Sequence, residues 1–239
     1  MAIQSIVYER RATFEEAQKE AGVGYENDLL LKDAQARPHD ISAADIRSLP
    51  AFFGHSIAAL GMIALRMGRR KLSVLDVGGA LGGHFSVAKT TFGSSLEFDW
   101  AVVETKMYVD YGRSFIITPE ISFFDSVEAV SQEVFHVAYL SSVLPYVSDF
   151  EGLLGAAALK SAPYLFISRT GLHDTEIPFL QTVTYDFGVV RYPGRILSRA
   201  LLLERLEKTH ELITSWDYDQ YSVENRPYSA PSMLWRRRG

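Results

Sequence analysis

Between Leu75 and Gly83 the chain reads Leu75-Asp76-Val77-Gly78-Gly79-Ala80-Leu81-Gly82-Gly83, one acidic residue followed at once by a glycine-rich stretch. Glycines at this density are needed where a strand turns sharply into a helix and the backbone must approach a ligand with no Cβ in the way. Dinucleotide recognition through G-x-G-x-x-G would require glycine at 78, 80 and 83, but position 80 is alanine and that pattern leaves Asp76 without a role. An NAD-dependent oxidoreductase is therefore the poorer match. Three further polar positions close apolar runs downstream: Glu104, Asp125-Ser126 and Ser141-Ser142. The loop Arg169-Thr170-Gly171-Leu172-His173-Asp174 supplies a candidate general base, His173, and a cation, Arg169, able to fix an anionic or hydroxylated substrate. Tyr185 joins them as the third catalytic candidate, with Gln181 and Tyr192 as further pocket-lining candidates.

These residues need a scaffold that delivers them to one edge. Residues 72–79, 98–104, 136–142 and 163–169 are short apolar runs ending in glycine or a polar residue, as buried parallel strands do. Helix-like segments fall between them near 83–92, 106–114, 126–133 and 149–160. This alternation predicts an α/β, doubly wound, mostly parallel Rossmann-like sheet, whose right-handed crossovers put every strand's C-terminus on one ligand-binding edge. At the end of the chain, 197–209 reads as a helix capped by Ser198. The segments HELITSWDYD and SAPSMLWRRR read as a C-terminal antiparallel hairpin at the sheet edge.

Ahead of the sheet, residues 1–70 predict a helical N-terminal extension packing on the core domain of residues 71–239. Thr13 and Glu16 have capping-box spacing, a short helix is expected over 27–36, and Ser42 can cap a turn between Pro38 and Pro50. A long apolar helix is expected over 51–67. That stretch carries His55 and Arg66 and falls short of a spanning helix, and no apolar run of signal-peptide length opens the chain, so a cytoplasmic location is expected.

The 239 residues carry a net charge of −5 and 47% hydrophobic residues, globular proportions that argue against a broad nucleic-acid-binding face. With no cysteine, disulfides, thiolate metal sites and cysteine nucleophiles are all excluded. The histidines are scattered, and Asp174 and Asp186 alone do not make a metal signature, so metal independence is expected.

Read as acidic-x-Gly-x-(Gly)-x-Gly, the 76–82 stretch resembles motif I of the Rossmann-like S-adenosylmethionine-dependent methyltransferases, with Asp76, Gly78 and Gly82 matching and Ala80 departing at the middle glycine. The resemblance implies S-adenosyl-L-methionine as cofactor, held by Asp76, Gly78, Gly79, Ala80 and Gly82. It also implies Glu104 on the ribose hydroxyls, Asp125 and Ser126 near the adenine amino group, and Ser141 and Ser142 lining the methyl-donor pocket. The segments ATFEEAQKEAGVGYENDLLLK, VLDVGGALGGHF, WAVVE, YLSSVLPYV and YLFISRTGL, with Gln181 and Arg191-Tyr192-Pro193, are similar to a family of uncharacterised bacterial methyltransferases. Its association with surface-polysaccharide biosynthesis implies O-methyl transfer to a small-molecule or saccharide acceptor.

Several positions admit two readings. Asp125 can contact adenine or cap a helix beginning near Ser126. His84 can touch ligand or cap its helix, and Tyr25 can belong to a lid or to helix packing. Trp216, Tyr218, Tyr221 and Tyr228 suit a sugar platform, a homodimer contact or a hairpin core. At the level of the whole chain, the alternative to an enzyme is a non-catalytic methyltransferase-like binding or assembly module, to which Ala80 and the lack of a clear catalytic dyad point.

Overall fold

The computed structural model describes residues 3–36, 45–130, 134–159, 162–217, 221–223 and 226–239. Pro38, Ser42 and Tyr218 lie outside the described residues. The chain opens with strand β1 (Ile3–Arg10), followed by helices α1 (Phe14–Ala21), α2 (Asp28–Gln35) and α3 (Ala51–Met67). The extension is thus helical where capping signals mark it, but it begins with a strand. Ile3, Ile6 and Tyr8 sit in a segment whose N–H and C=O groups find partners only on a later strand, a tertiary pairing that local periodicity does not announce. The local signals that were present hold. Thr13 Oγ1 accepts the Glu16 N–H at 3.1 Å while a Glu16 oxygen accepts the Ala12 N–H at 2.9 Å. At its far end α3 stops at Gly68, whose left-handed φ of 61° lets its N–H return to the Ala64 and Leu65 carbonyls.

Then comes the alternation: β2 (Lys71–Val77), α4 (Gly83–Phe92), β3 (Glu97–Val103), α5 (Lys106–Phe115), β4 (Ile121–Phe124), β5 (Val137–Ser141), α6 (Phe150–Leu159) and β6 (Tyr164–Ser168). The helix expected over 126–133 does not form across its described part. Residues 127–130 make a turn, in which Ser126 Oγ accepts the Ala129 N–H at 3.1 Å. Residues 131–133 lie outside the described residues. The remaining elements are β7 (Leu172–His173), β8 (Ile177–Tyr185), β9 (Gly188–Ser198), α7 (Arg199–Glu207), β10 (His210–Trp216), β11 (Tyr221–Val223), β12 (Arg226–Tyr228) and β13 (Ser232–Arg237).

The main sheet has the order β10-β13-β6-β5-β2-β3-β4, with β6-β5-β2-β3-β4 parallel and β13 and β10 added antiparallel at one edge. It buries apolar side chains on both faces. Leu75, Val77, Leu140 and Ile167 pack toward α6 and α7, while Leu72, Val74, Tyr139 and Phe166 pack toward α3 and α4. Alternate residues of each strand serve opposite cores, as a two-sided parallel sheet requires.

A second sheet, β1-β8-β9-β7, stands apart from the first in its pairing. Its long arms β8 and β9 form a hairpin turning through Asp186 and Phe187, with Tyr185 opposite Gly188. Among the described residues no helix is long and apolar enough to cross a membrane.

Candidate active site

In the main sheet the chain runs outward from β2 to β3 and β4, then returns to build β5 and β6 on the other side of β2. The crevice beyond the C-termini of β2 and β5 is therefore the topological switch point, where open α/β sheets bind ligands. The turn after β2 borders it directly. Gly78 has φ 73° and a Cβ built on it would stand 2.8 Å from Val143 Cβ, so only glycine fits between the two loops. Gly82 has φ 80°, and a Cβ there would meet the Ile121 side chain at 2.5 Å. Between them Ala80 holds φ 48°. Ala80, Ser142 and Arg169 are the non-glycine residues with positive φ among those described, and they follow the ends of β2, β5 and β6. Strained backbone concentrated on one sheet edge is a mark of a functional site.

A cavity of about 420 Å³ opens at this edge, within the size range of small-molecule sites. Gly78, Ala80, Glu104, Ser141, Ser142 and Arg169 line its floor. Glu104 is pulled in two directions. Desolvation raises its pKa, while the N–H groups of Ala80 (3.2 Å) and Thr105 (2.7 Å) favour the carboxylate.

The second sheet forms the opposite wall. Phe179, Gln181, Val183 and Tyr185 alternate along β8 toward the cavity. Register places Tyr8 and Tyr192 on either side of Gln181, and Tyr146 donates to Gln181 Oε1 at 3.2 Å. Tyr25 packs on Tyr192 and Tyr146 at ring distances of 4.5 and 5.2 Å. Burial raises the pKa of Tyr25, pushes Tyr146 up to about 12 and raises Tyr192, so these hydroxyls stay protonated and act as donors.

The sequence-predicted residues divide accordingly. Gly78, Ala80, Glu104, Ser141, Ser142, Arg169 and Tyr185 meet at one cavity, with Gln181 and Tyr192 beside them. Asp76 does not line it. Its carboxyl is fully buried beneath Gly79, whose added Cβ would stand 2.6 Å from it. Trp100 Nε1 donates to Asp76 Oδ2 at 3.0 Å, Oδ1 has no partner, and burial pushes the group up to about 7. Gly79 and Gly82 shape the turn from behind. Asp125 is exposed beyond β4, and Asp125 and Ser126 are outside the lining. His173 is outside it as well. It sits half-exposed with its Nδ1 accepting the Thr175 N–H at 3.2 Å, so the structure does not place the expected general base at the cavity.

One lining residue escaped the sequence reading, and one candidate weighed there takes a different role. Tyr8 enters from β1, whose pairing is tertiary, although the period-two run Ile177–Tyr185 and its two-residue turn did carry a hairpin signal. His84 does not cap its helix, whose N-cap is Gly82, and it lies outside the cavity lining. Its ring is buried and bridges Ser56 Oγ and Ser141 Oγ, each at 3.1 Å, and burial with the nearby Arg169 charge lowers it to about 3.

No family model and no curated protein matches the chain. Solved structures do. A methyltransferase dependent on S-adenosylmethionine from Clostridium acetobutylicum aligns over 78% of this chain and 92% of its own, at 9% identity and a TM-score of 0.53. Magnesium protoporphyrin IX methyltransferase from Synechocystis, solved with bound S-adenosylmethionine, covers 95% of this chain and 100% of its own, at 10% identity and 0.54. The (4+2)-cyclase SpnF covers 95% and 97%, at 13% identity and 0.54. The chain therefore has the Rossmann-like fold of these methyltransferases, a fold in which one neighbour is described as a cyclase.

Proposed function

We propose that this chain is an S-adenosylmethionine-dependent methyltransferase acting on an oxygen of a small-molecule or saccharide acceptor. The observation that carries the reading is the arrangement at the switch point, where a left-handed glycine turn after β2 faces a carboxylate at the end of β3. The residues suit the cofactor. Glu104 offers carboxylate oxygens to a ribose diol, and the glycine turn at Gly78 brings backbone to the cavity with no Cβ in the way. When bound, S-adenosylmethionine supplies an activated methyl group on a sulfonium. The protein's own contribution is positioning: the floor holds the donor and the tyrosine-rich wall orients the acceptor, which is the main requirement for an in-line displacement.

A second reading, a methyltransferase-like binding module, is favoured by Ala80 at the middle glycine position, where φ 48° strains an alanine. Incubating the protein with labelled S-adenosylmethionine and a panel of hydroxylated and saccharide acceptors separates the two. Label transferred to any acceptor supports the enzyme, whereas saturable nucleoside binding with no transfer across the panel supports the module.

A further inference from the structure

Two arginines line the cavity, and they are used differently. Arg195 is anchored: its guanidinium donates to the Val147 and Ser148 carbonyls at 3.2 and 3.0 Å, lies 3.5 Å from Glu176 and stacks 3.8 Å over Phe14. It ties β9 to the loop after β5. Arg169 has none of this. Its guanidinium lies 4.5 Å over the Phe52 ring, and among the described residues no carboxylate, carbonyl or hydroxyl accepts a hydrogen bond from it. Its backbone is held at φ 53°, a cost that a solvated surface arginine has no reason to carry.

A guanidinium fixed by stacking, presented to a cavity and left without an acceptor, matches the planar fork of a carboxylate. The cavity is also polarised. Glu104 sits on the floor by the turn after β2, while Arg169 stands at the end of β6. The charge of Arg169 is felt by Tyr8, Tyr25 and Tyr146, which belong to the tyrosine wall. The nucleoside end of a donor belongs at Glu104, which leaves Arg169 for the second ligand. We infer that Arg169 anchors a carboxylate carried by the acceptor, and that this acceptor is a small ring whose face lies on the row Tyr8, Gln181 and Tyr192. The word acceptor rests on the methyltransferase reading, whereas the carboxylate site does not.

The test is calorimetric, on the full chain, with S-adenosylhomocysteine, methylthioadenosine, para-hydroxybenzoate and glucuronate, and the uncharged counterparts para-hydroxybenzamide and glucose. The variants are Arg169→Gln and Arg169→Lys, with melting curves to show that each folds. With S-adenosylhomocysteine present, at least one carboxylate is expected to bind more tightly than its counterpart. Arg169→Gln should weaken it by about tenfold to a hundredfold, the loss of a charge-assisted hydrogen bond or pair, and Arg169→Lys by less. The inference is overturned if neither carboxylate is preferred or if Arg169→Gln leaves the preference intact. It is also overturned if Arg169→Gln weakens S-adenosylhomocysteine and spares methylthioadenosine, since the carboxylate would then be the nucleoside's. Failure of the methyltransferase reading looks different: no nucleoside binds, while the carboxylate preference and its dependence on Arg169 persist.

Discussion

Trp100 Nε1 donates to Asp76 Oδ2 at 3.0 Å, and that bond is what the fold offers a carboxyl group buried beneath the glycine turn with its other oxygen unpartnered. The raised value of about 7 has a signed consequence. Between the ordinary 3.8 and about 7 the folded state keeps a proton that the unfolded chain has released, so this group lowers stability as pH rises across that window. Asp76→Asn removes the effect. Relative to the parent, the variant should gain stability between pH 4 and pH 7, by at most about 1.4 kcal/mol per pH unit. Melting curves of both proteins at stepped pH check it, and parallel curves would contradict it.

His84 supplies the opposite slope. Its lowered value of about 3, against an ordinary 6.5, means that the unfolded chain binds a proton the folded state refuses, so its contribution grows as pH rises through that window. His84→Gln, able to bond Ser56 and Ser141 in part, should lose stability relative to the parent as pH rises from about 3 to 6.5. The same melting series reads it. A variant whose difference from the parent is flat would show that His84 titrates normally.

Gly78→Ala should damage the site twice over. The left-handed backbone costs alanine about 1–2 kcal/mol, and the new Cβ would stand 2.8 Å from Val143 Cβ. With an overpacking cost of about 1–3 kcal/mol added, a total loss of about 2–5 kcal/mol is expected, together with nucleoside affinity reduced by roughly tenfold or more. Pairing it with Val143→Gly, which removes the Cβ that is struck, should return the steric part but not the backbone part, measured against Val143→Gly alone. Denaturant melts of the single and double variants measure both.

Tyr146→Phe tests the proposed acceptor role of the tyrosine-rich wall. With its pKa pushed up to about 12, this hydroxyl donates to Gln181 and does not serve as a base near neutrality. Removing it should raise the acceptor KM by about threefold to tenfold, the worth of one neutral hydrogen bond, with nucleoside affinity and the pH profile unchanged. A shifted pH profile would assign it to proton transfer instead.

The parts of the fold legible in the sequence are those set by local rules. The β2 turn announces itself through Asp76, Gly78 and Gly82, the helices of the extension through Thr13 and the apolar run over 51–67, and the closing strands through their own apolar runs. Glu104 was locatable because a buried parallel strand must end where its side chains turn polar. The wall opposite it was not. Tyr8 reaches the cavity only because β1 pairs with β8, which sets it opposite the sequence-distant Gln181, and nothing local in IQSIVYER encodes that partner. His173 lies outside the cavity lining for the converse reason: its type suits a base, but its ring turns to Thr175, and loop direction is set by the β7 pairing with β9. Asp76 was expected at the cofactor but lies in β2, buried beneath Gly79, and spacing does not reveal whether such a carboxyl faces the ligand or the core.

The most direct test of the account is calorimetric titration of S-adenosylmethionine into the parent protein, Glu104→Gln and Glu104→Ala. Glutamine keeps an acceptor for the Ala80 N–H but loses the charge, and alanine loses both. The account predicts saturable binding to the parent, weakened by roughly tenfold or more in each variant and most in Glu104→Ala, with all three proteins folded by circular dichroism. Absence of saturable binding to the parent, or equal affinity in all three, would contradict it.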